Sequence, residues 1–136
     1  MIVVLDTNAV LQARSPNHPY HTILQHLLEG RFTLVLSNEI LLEYEEVLTL
    51  RTGQVRWNQL MLTLDSISKF RQRIRHVEPS FHFHLITADP DDDKFADCAI
   101  AANADYLVTD DAHFDAMKTA GYKPRVITPQ DFIALL

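Results

Sequence analysis

The acidic residues of this chain recur at one kind of place, directly after short apolar runs. Asp6 follows Ile2-Val3-Val4-Leu5, and Asp110 and Asp111 follow Tyr106-Leu107-Val108-Thr109. Asp93 falls in the first turn of an Ala-rich helical pattern over residues 91–103, and Glu43 in the second turn of another over residues 38–49. If the apolar runs are parallel strands, the carboxyl edge of the sheet collects all of them, because the helices entered from that edge begin there. Asp6, Glu43, Asp93 and one or both of Asp110 and Asp111 then border one cleft. Carboxylates so grouped raise one another's pKa and need a counter-cation to stay ionised. Hard oxygen donors without clustered Cys or His favour Mg²⁺ or Mn²⁺ over zinc. Divalent ions held in this way polarise water and stabilise a leaving oxygen in phosphodiester hydrolysis.

Helical angle selects Glu43 from its neighbours. At ~100° per residue it lies ~40° from Val47 and ~60° from Ile40, at the margin of the apolar face. Glu45 projects roughly opposite Val47, and Glu39 and Glu46 lie further from the apolar face. Asp93 and Asp97 are i,i+4 neighbours and share a helix face, which makes Asp97 an additional candidate ligand. Any single Asp at a helix start also serves as a cap; convergence of several on one edge is what points to a site. His82 and His84 alternate with Phe81 and Phe83 as on one face of an extended segment. His18, His21 and His26 flank an amphipathic helix, and Cys98 reads as a small buried side chain.

The elements that must position these residues alternate along the chain. Strand signals lie at Ile2-Val3-Val4-Leu5, Phe32-Thr33-Leu34-Val35-Leu36, Tyr106-Leu107-Val108 and Arg125-Val126-Ile127. Such short β-branched runs suit strands covered on both faces. Helical spacing predicts helices over residues 20–29, 38–49, 55–70 and 91–103, with a closing helix after Thr128-Pro129. The expected fold is a three-layer α/β/α sandwich with a mainly parallel central sheet, in a single domain over residues 1–136. Only Pro79–Pro90 reads as a long loop.

Composition bounds the rest. The chain has 136 residues, 47% hydrophobic, with 18 acids against 12 Lys and Arg and a formal charge of −6. This is globular rather than disordered, and the lone cysteine excludes an intramolecular disulfide or a Cys-rich zinc site. Asp6 interrupts the first apolar run, and no run approaches the ~20 residues of a membrane span, so a cytoplasmic protein is expected. The charge is segregated. Residues 89–111 carry a net −7 (Asp89, Asp91, Asp92, Asp93, Asp97, Asp105, Asp110 and Asp111 against Lys94). Residues 51–75 carry a net +5 (Arg51, Arg56, Lys69, Arg71, Arg73 and Arg75 against Asp65). The second block offers a surface for positioning a nucleic-acid backbone through Arg51, Arg56, Arg71, Arg73 and Arg75.

Four segments together resemble PIN-domain ribonucleases. They are Val3-Val4-Leu5-Asp6-Thr7-Asn8, Leu34-Val35-Leu36-Ser37-Asn38-Glu39-Ile40-Leu41-Leu42-Glu43, Asp89-Pro90-Asp91-Asp92-Asp93-Lys94-Phe95 and Ala104-Asp105-Tyr106-Leu107-Val108-Thr109-Asp110-Asp111. The last two are similar to the subgroup assigned to VapC-like toxin–antitoxin toxins. The resemblance implies an acidic quartet at Asp6, Glu43, Asp93 and Asp111, with Asp92 the rival to Asp93 and Asp110 the rival to Asp111. Asp111 is preferred because it stands two residues after Thr109, and Asp110 departs from the Gly often found there. Thr109 is implied to hydrogen-bond a ligating carboxylate, and Thr7 and Asn8 to orient Asp6 from a turn after the strand. The resemblance further implies Mg²⁺- or Mn²⁺-dependent cleavage of RNA to 5′-phosphate and 3′-hydroxyl ends, a homodimer, and an antitoxin protein as partner.

Overall fold

The computed structural model describes residues 1–86, 89–118 and 123–136. Its centre is a five-stranded sheet in the order β3-β2-β1-β4-β5, every pair parallel. The strands are β1 (Ile2–Leu5), β2 (Thr33–Leu36), β3 (Ile74–His76), β4 (Tyr106–Val108) and β5 (Arg125–Ile127). Val3, Val4, Leu34, Val35, Leu107 and Val108 are all fully buried. A central parallel strand is covered on both faces, and that is why these runs are apolar without alternation.

The helices are α1 (Thr7–Arg14), α2 (His21–Leu28), α3 (Asn38–Thr52), α4 (Gln54–Arg71), α5 (Asp93–Ala101), α6 (Asp115–Lys118) and α7 (Pro129–Leu135). Right-handed crossovers require opposite faces for connections that run in opposite directions across the sheet. The helices between β1, β2 and β3 therefore cover one face, and α5 and α6 the other. The chain reverses direction between β1 and β4, and a crevice at the carboxyl ends of strands opens at such a reversal. Among the described residues no helix is long and apolar enough to cross a membrane.

Three features depart from the sequence-based expectation. The segment after Asp6 is the helix α1 rather than a turn, with Ala9, Val10 and Ala13 buried beneath it. Residues 74–76 form an edge strand, β3, paired only with β2. Ile74 alone among them is partly buried, and charged residues such as Arg75 are a common guard on exposed sheet edges, so no strand pattern shows. The basic block is also dispersed. Arg51 lines the carboxyl-edge cleft and Arg56 a separate groove, whereas Arg73 packs near Gly30 below the opposite edge.

Tight junctions set the positions of the site elements. Ser37 caps α3 by accepting a hydrogen bond from the Ile40 amide at 3.2 Å. Gly53 alone separates α3 from α4, at φ 93° and ψ 166°, a conformation open essentially to glycine. The buried Tyr44 hydroxyl donates to the Leu5 carbonyl and pins α3 against the end of β1. Tyr44 also packs on Phe95 of α5, with ring centroids 6.5 Å apart.

Candidate active site

Asp6 stands at the end of β1 and caps α1. One carboxylate oxygen accepts from the Ala9 amide at 2.8 Å, and the other from the Thr109 hydroxyl at the end of β4. Its backbone amide donates to the Val108 carbonyl at 3.1 Å, so two strand ends meet at this residue. Asp6 is 6% exposed. Burial pushes its carboxyl up to about 6 against the opposing hydrogen bonds from Thr109 and Ala9, and the carboxylates of Asp111 and Asp92 add to the rise.

Glu43 reaches the same place from α3. Thr7 donates its hydroxyl to one oxygen, and Lys94 Nζ donates to the other at 2.8 Å. Asp111 arrives from the turn after β4. Its amide donates to Thr109 Oγ1 at 2.9 Å, and its carboxylate accepts from the His113 amide at 2.9 Å. Asp92 enters from a 3-10 turn (Pro90–Asp92) ahead of α5. His113 Nδ1 lies 3.2 Å from Asp92 and 3.4 Å from Asp111, bridging the two acids. The Asp92 hydrogen bond, more than any other influence, raises the His113 imidazole above its ordinary range, which favours the protonated ring. Burial in turn raises the Asp92 carboxyl, with His113 opposing.

These groups border an open cleft of about 230 Å³ lined by Asp6, Thr7, Asn8, Glu43, Asp92 and Asp111, with Arg51, Asp89 and Asp91 at its walls. The donor set is almost wholly carboxylate oxygen, which fits a hard divalent cation such as Mg²⁺ or Mn²⁺. Asp89, Asp92 and His113 also bring their ligand atoms within 4.8 Å of one another at the same mouth.

The sequence pattern of the PIN domain family matches residues 2–113. This chain belongs to the PIN domain family. Its fold is also similar to VapBC2 of Rickettsia felis, solved bound to a DNA fragment from its promoter, with 22% identity, a TM-score of 0.59, and 94% of this chain and 98% of that one covered. FitAcB of Neisseria gonorrhoeae is similar at 21% identity and a TM-score of 0.60, with the same coverage of 94% and 98%. No curated protein sequence matches this chain.

Of the residues singled out from sequence, this PIN domain gathers Asp6, Glu43, Asp111 and Asp92 around the cleft, with Thr7, Asn8 and Thr109 beside them. Asp110 is exposed and does not line the cleft. Asp93 and Asp97 do share one helix face, but neither lines the cleft. Asp93 accepts from the Ile86 amide at 2.8 Å, with His84 Nδ1 at 3.6 Å. Asp97, 2% exposed, accepts from the Phe83 amide at 3.0 Å and contacts His82 Nδ1 at 3.2 Å. The two acids fasten the segment 82–86 to α5. The cause is the 3-10 turn, whose three-residue repeat turns Asp92 into the cleft and starts the α-helix one residue later, at Asp93.

Asp89, His113 and Lys94 are the neighbours that sequence reasoning passed over. Asp89 caps the 3-10 turn, accepting from the Asp91 amide at 3.0 Å. Lys94 did carry a signal, as the only base in a block of net charge −7. Asp105 belongs to that block by sequence alone. It binds the Ile2 amide and Lys123, both at 2.7 Å, at the opposite edge of the sheet, and Lys123 lowers its carboxyl.

The fastening role of Asp97 has a measurable consequence. Asp97→Ala leaves the Phe83 amide without its acceptor and is expected to cost about 1–3 kcal/mol of stability. Thermal unfolding should show a midpoint several degrees lower, and limited proteolysis should show faster cutting near residues 81–86. Mn²⁺ affinity measured by calorimetry should be retained; its loss would place Asp97 in the cation site.

Proposed function

We propose that this PIN domain is a Mg²⁺- or Mn²⁺-dependent endoribonuclease. The observation that carries the reading is the meeting of Asp6, Glu43, Asp92 and Asp111, from four separate segments, in one cleft at the point where the strand order reverses. A bound divalent cation supplies Lewis acidity and the positive charge that lets a phosphodiester approach four acids. Asp6, Asp92 and Asp111 would hold it, with Glu43 bordering the same cleft. Thr109 fixes Asp6 and Asp111 together through one hydroxyl. Thr7 and Lys94 between them engage both Glu43 oxygens and so set the carboxylate's direction. His113 holds Asp92 and Asp111 at a common mouth and, when protonated, stands there as a cation toward an entering phosphate.

The resemblance to VapC-like toxins and the similarity to VapBC2 support a more specific reading. In it the chain is the toxin of a toxin–antitoxin pair and forms a homodimer. Its antitoxin would close the acidic cleft with a basic side chain, as Lys94 already does toward Glu43.

The test is cleavage of end-labelled RNA with Mg²⁺ or Mn²⁺ present. We expect endonucleolytic fragments with 5′-phosphates, abolished by EDTA and by Asp111→Asn. Fragments that persist in EDTA would overturn the reading. Mn²⁺ binding without cleavage of any RNA would instead favour a PIN-fold binding module.

A further inference from the structure

We propose that Arg14 and Arg56 form a second anion site, which holds a backbone phosphate of the RNA strand as it leaves the acidic cleft. The proposal rests on the ribonuclease reading for its ligand and on an independent set of observations for its position. Helix α1 is capped by Asp6 at one end and finishes with Arg14 at the other. At 1.5 Å per residue its ends are about 12 Å apart, so the cleft and the arginine are joined by one short rigid element.

Arg14 and Arg56 line a groove of about 270 Å³ between α1–α2 and α4, with Leu24, Leu60, Gln59 and Thr63 in its walls. Among the described residues neither guanidinium pairs with a carboxylate. Arg14 Nε is buried with no hydrogen-bond partner, and Arg56 reaches only the Gln59 side chain, at 3.2 Å. Arg31, Lys69, Lys94, Lys118 and Lys123, by contrast, each lie against a carboxylate.

An unpaired buried donor is costly, and like charges facing each other add to the cost. Burial, with Arg56 contributing, accordingly lowers the Arg14 guanidinium. Two guanidinium forks across a groove match the spacing of phosphate oxygens, the charged group an RNA strand presents. An acidic cleft also needs positive anchors outside it to retain a strand whose every residue is charged.

The experiment measures binding of a fluorescein-labelled 2′-O-methyl RNA 12-mer by anisotropy in Mg²⁺, across a salt series. Arg14→Met with Arg56→Met keeps the apolar stems and removes both forks. Its Kd is expected to rise about 10-fold or more near 100 mM salt. The slope of log Kd against log salt should fall by about 0.7, the share of one phosphate contact on a single strand. If the double variant fails to fold by circular dichroism, Arg14→Lys and Arg56→Lys serve, keeping charge while losing the fork. Each should weaken binding about threefold.

Unchanged Kd and slope in a folded variant would overturn the site. So would intact RNA affinity with lost binding of a poly-glutamate peptide, which would assign the groove to a protein ligand. Wild-type protein that binds the 12-mer with this dependence but cleaves no RNA would overturn the nuclease reading alone. Cleavage with an unchanged Kd in the variant would overturn the anion site alone.

Discussion

Asp92→Asn is expected to lower RNA cleavage by at least about 100-fold, whereas Asp93→Asn should stay within about threefold of wild type. The two residues are adjacent and chemically identical, so only their orientation separates them. Asp92 closes the 3-10 turn and faces Asp111 across His113, and Asp6 registers its charge. Asp93 opens α5 and spends one oxygen on the Ile86 amide at 2.8 Å, a bond that an asparagine oxygen can still accept. Asp92→Asn removes a charge from the proposed cation site with little change in shape, so loss of Mn²⁺ affinity should accompany loss of turnover. Single-turnover cleavage at saturating Mn²⁺ and calorimetric titration measure the two effects separately. Full activity in Asp92→Asn, or collapse in a folded Asp93→Asn, would reverse the assignment.

The second large effect is a gain of stability. Metal-free Asp6→Asn should unfold at a higher temperature than wild type at pH 7.5. The Asp6 carboxyl is pushed up to about 6 in the fold from an ordinary value of 3.8. Between those values the folded state binds the proton more tightly than the unfolded chain does. Stability therefore falls as pH rises from about 4 to about 6, and above 6 the full cost of holding an ionised Asp6 is present. That difference corresponds to roughly 3 kcal/mol. Asparagine keeps the cap to the Ala9 amide, since Asn and Asp are comparable at that position, and it carries no charge. Differential scanning fluorimetry should show the advantage at pH 7.5 without divalent ions and its disappearance by about pH 4. Mn²⁺ should raise the wild-type midpoint more than that of the variant. A lower midpoint for Asp6→Asn at pH 7.5 would mean that its carboxylate stabilises the empty site.

The same logic explains what could be read from the linear chain. A strand buried on both faces needs a continuous apolar run, and the three central strands β1, β2 and β4 have one. Carboxylates that follow such runs must fall at the carboxyl edge, so Asp6 and the pair at 110–111 were legible as neighbours before any coordinates. Glu43 followed from helical angle, and its position is fixed by Tyr44, which inserts its ring and hydroxyl beneath β1. The strand β3 was not legible, because an edge strand half exposed to solvent needs no apolar pattern. Nor was α1, whose eight residues bury only small side chains, Thr7 and Val10.

The four-carboxylate theme and the sheet edge that gathers it are thus properties of the sequence, because burial dictates apolar runs and connectivity dictates which ends meet. Which of two adjacent aspartates enters the cleft is decided only by tertiary structure. The 3-10 turn at Pro90–Asp92 rotates the chain by roughly 60° more than three α-helical residues would. Spacing along a sequence assumes one period throughout, and here two periods meet between Asp92 and Asp93. The pairing of Lys94 with Glu43, 51 residues apart, and the unpartnered approach of Arg14 to Arg56 are likewise products of packing between elements. No local pattern encodes them, because the energy that sets each contact belongs to two distant segments at once.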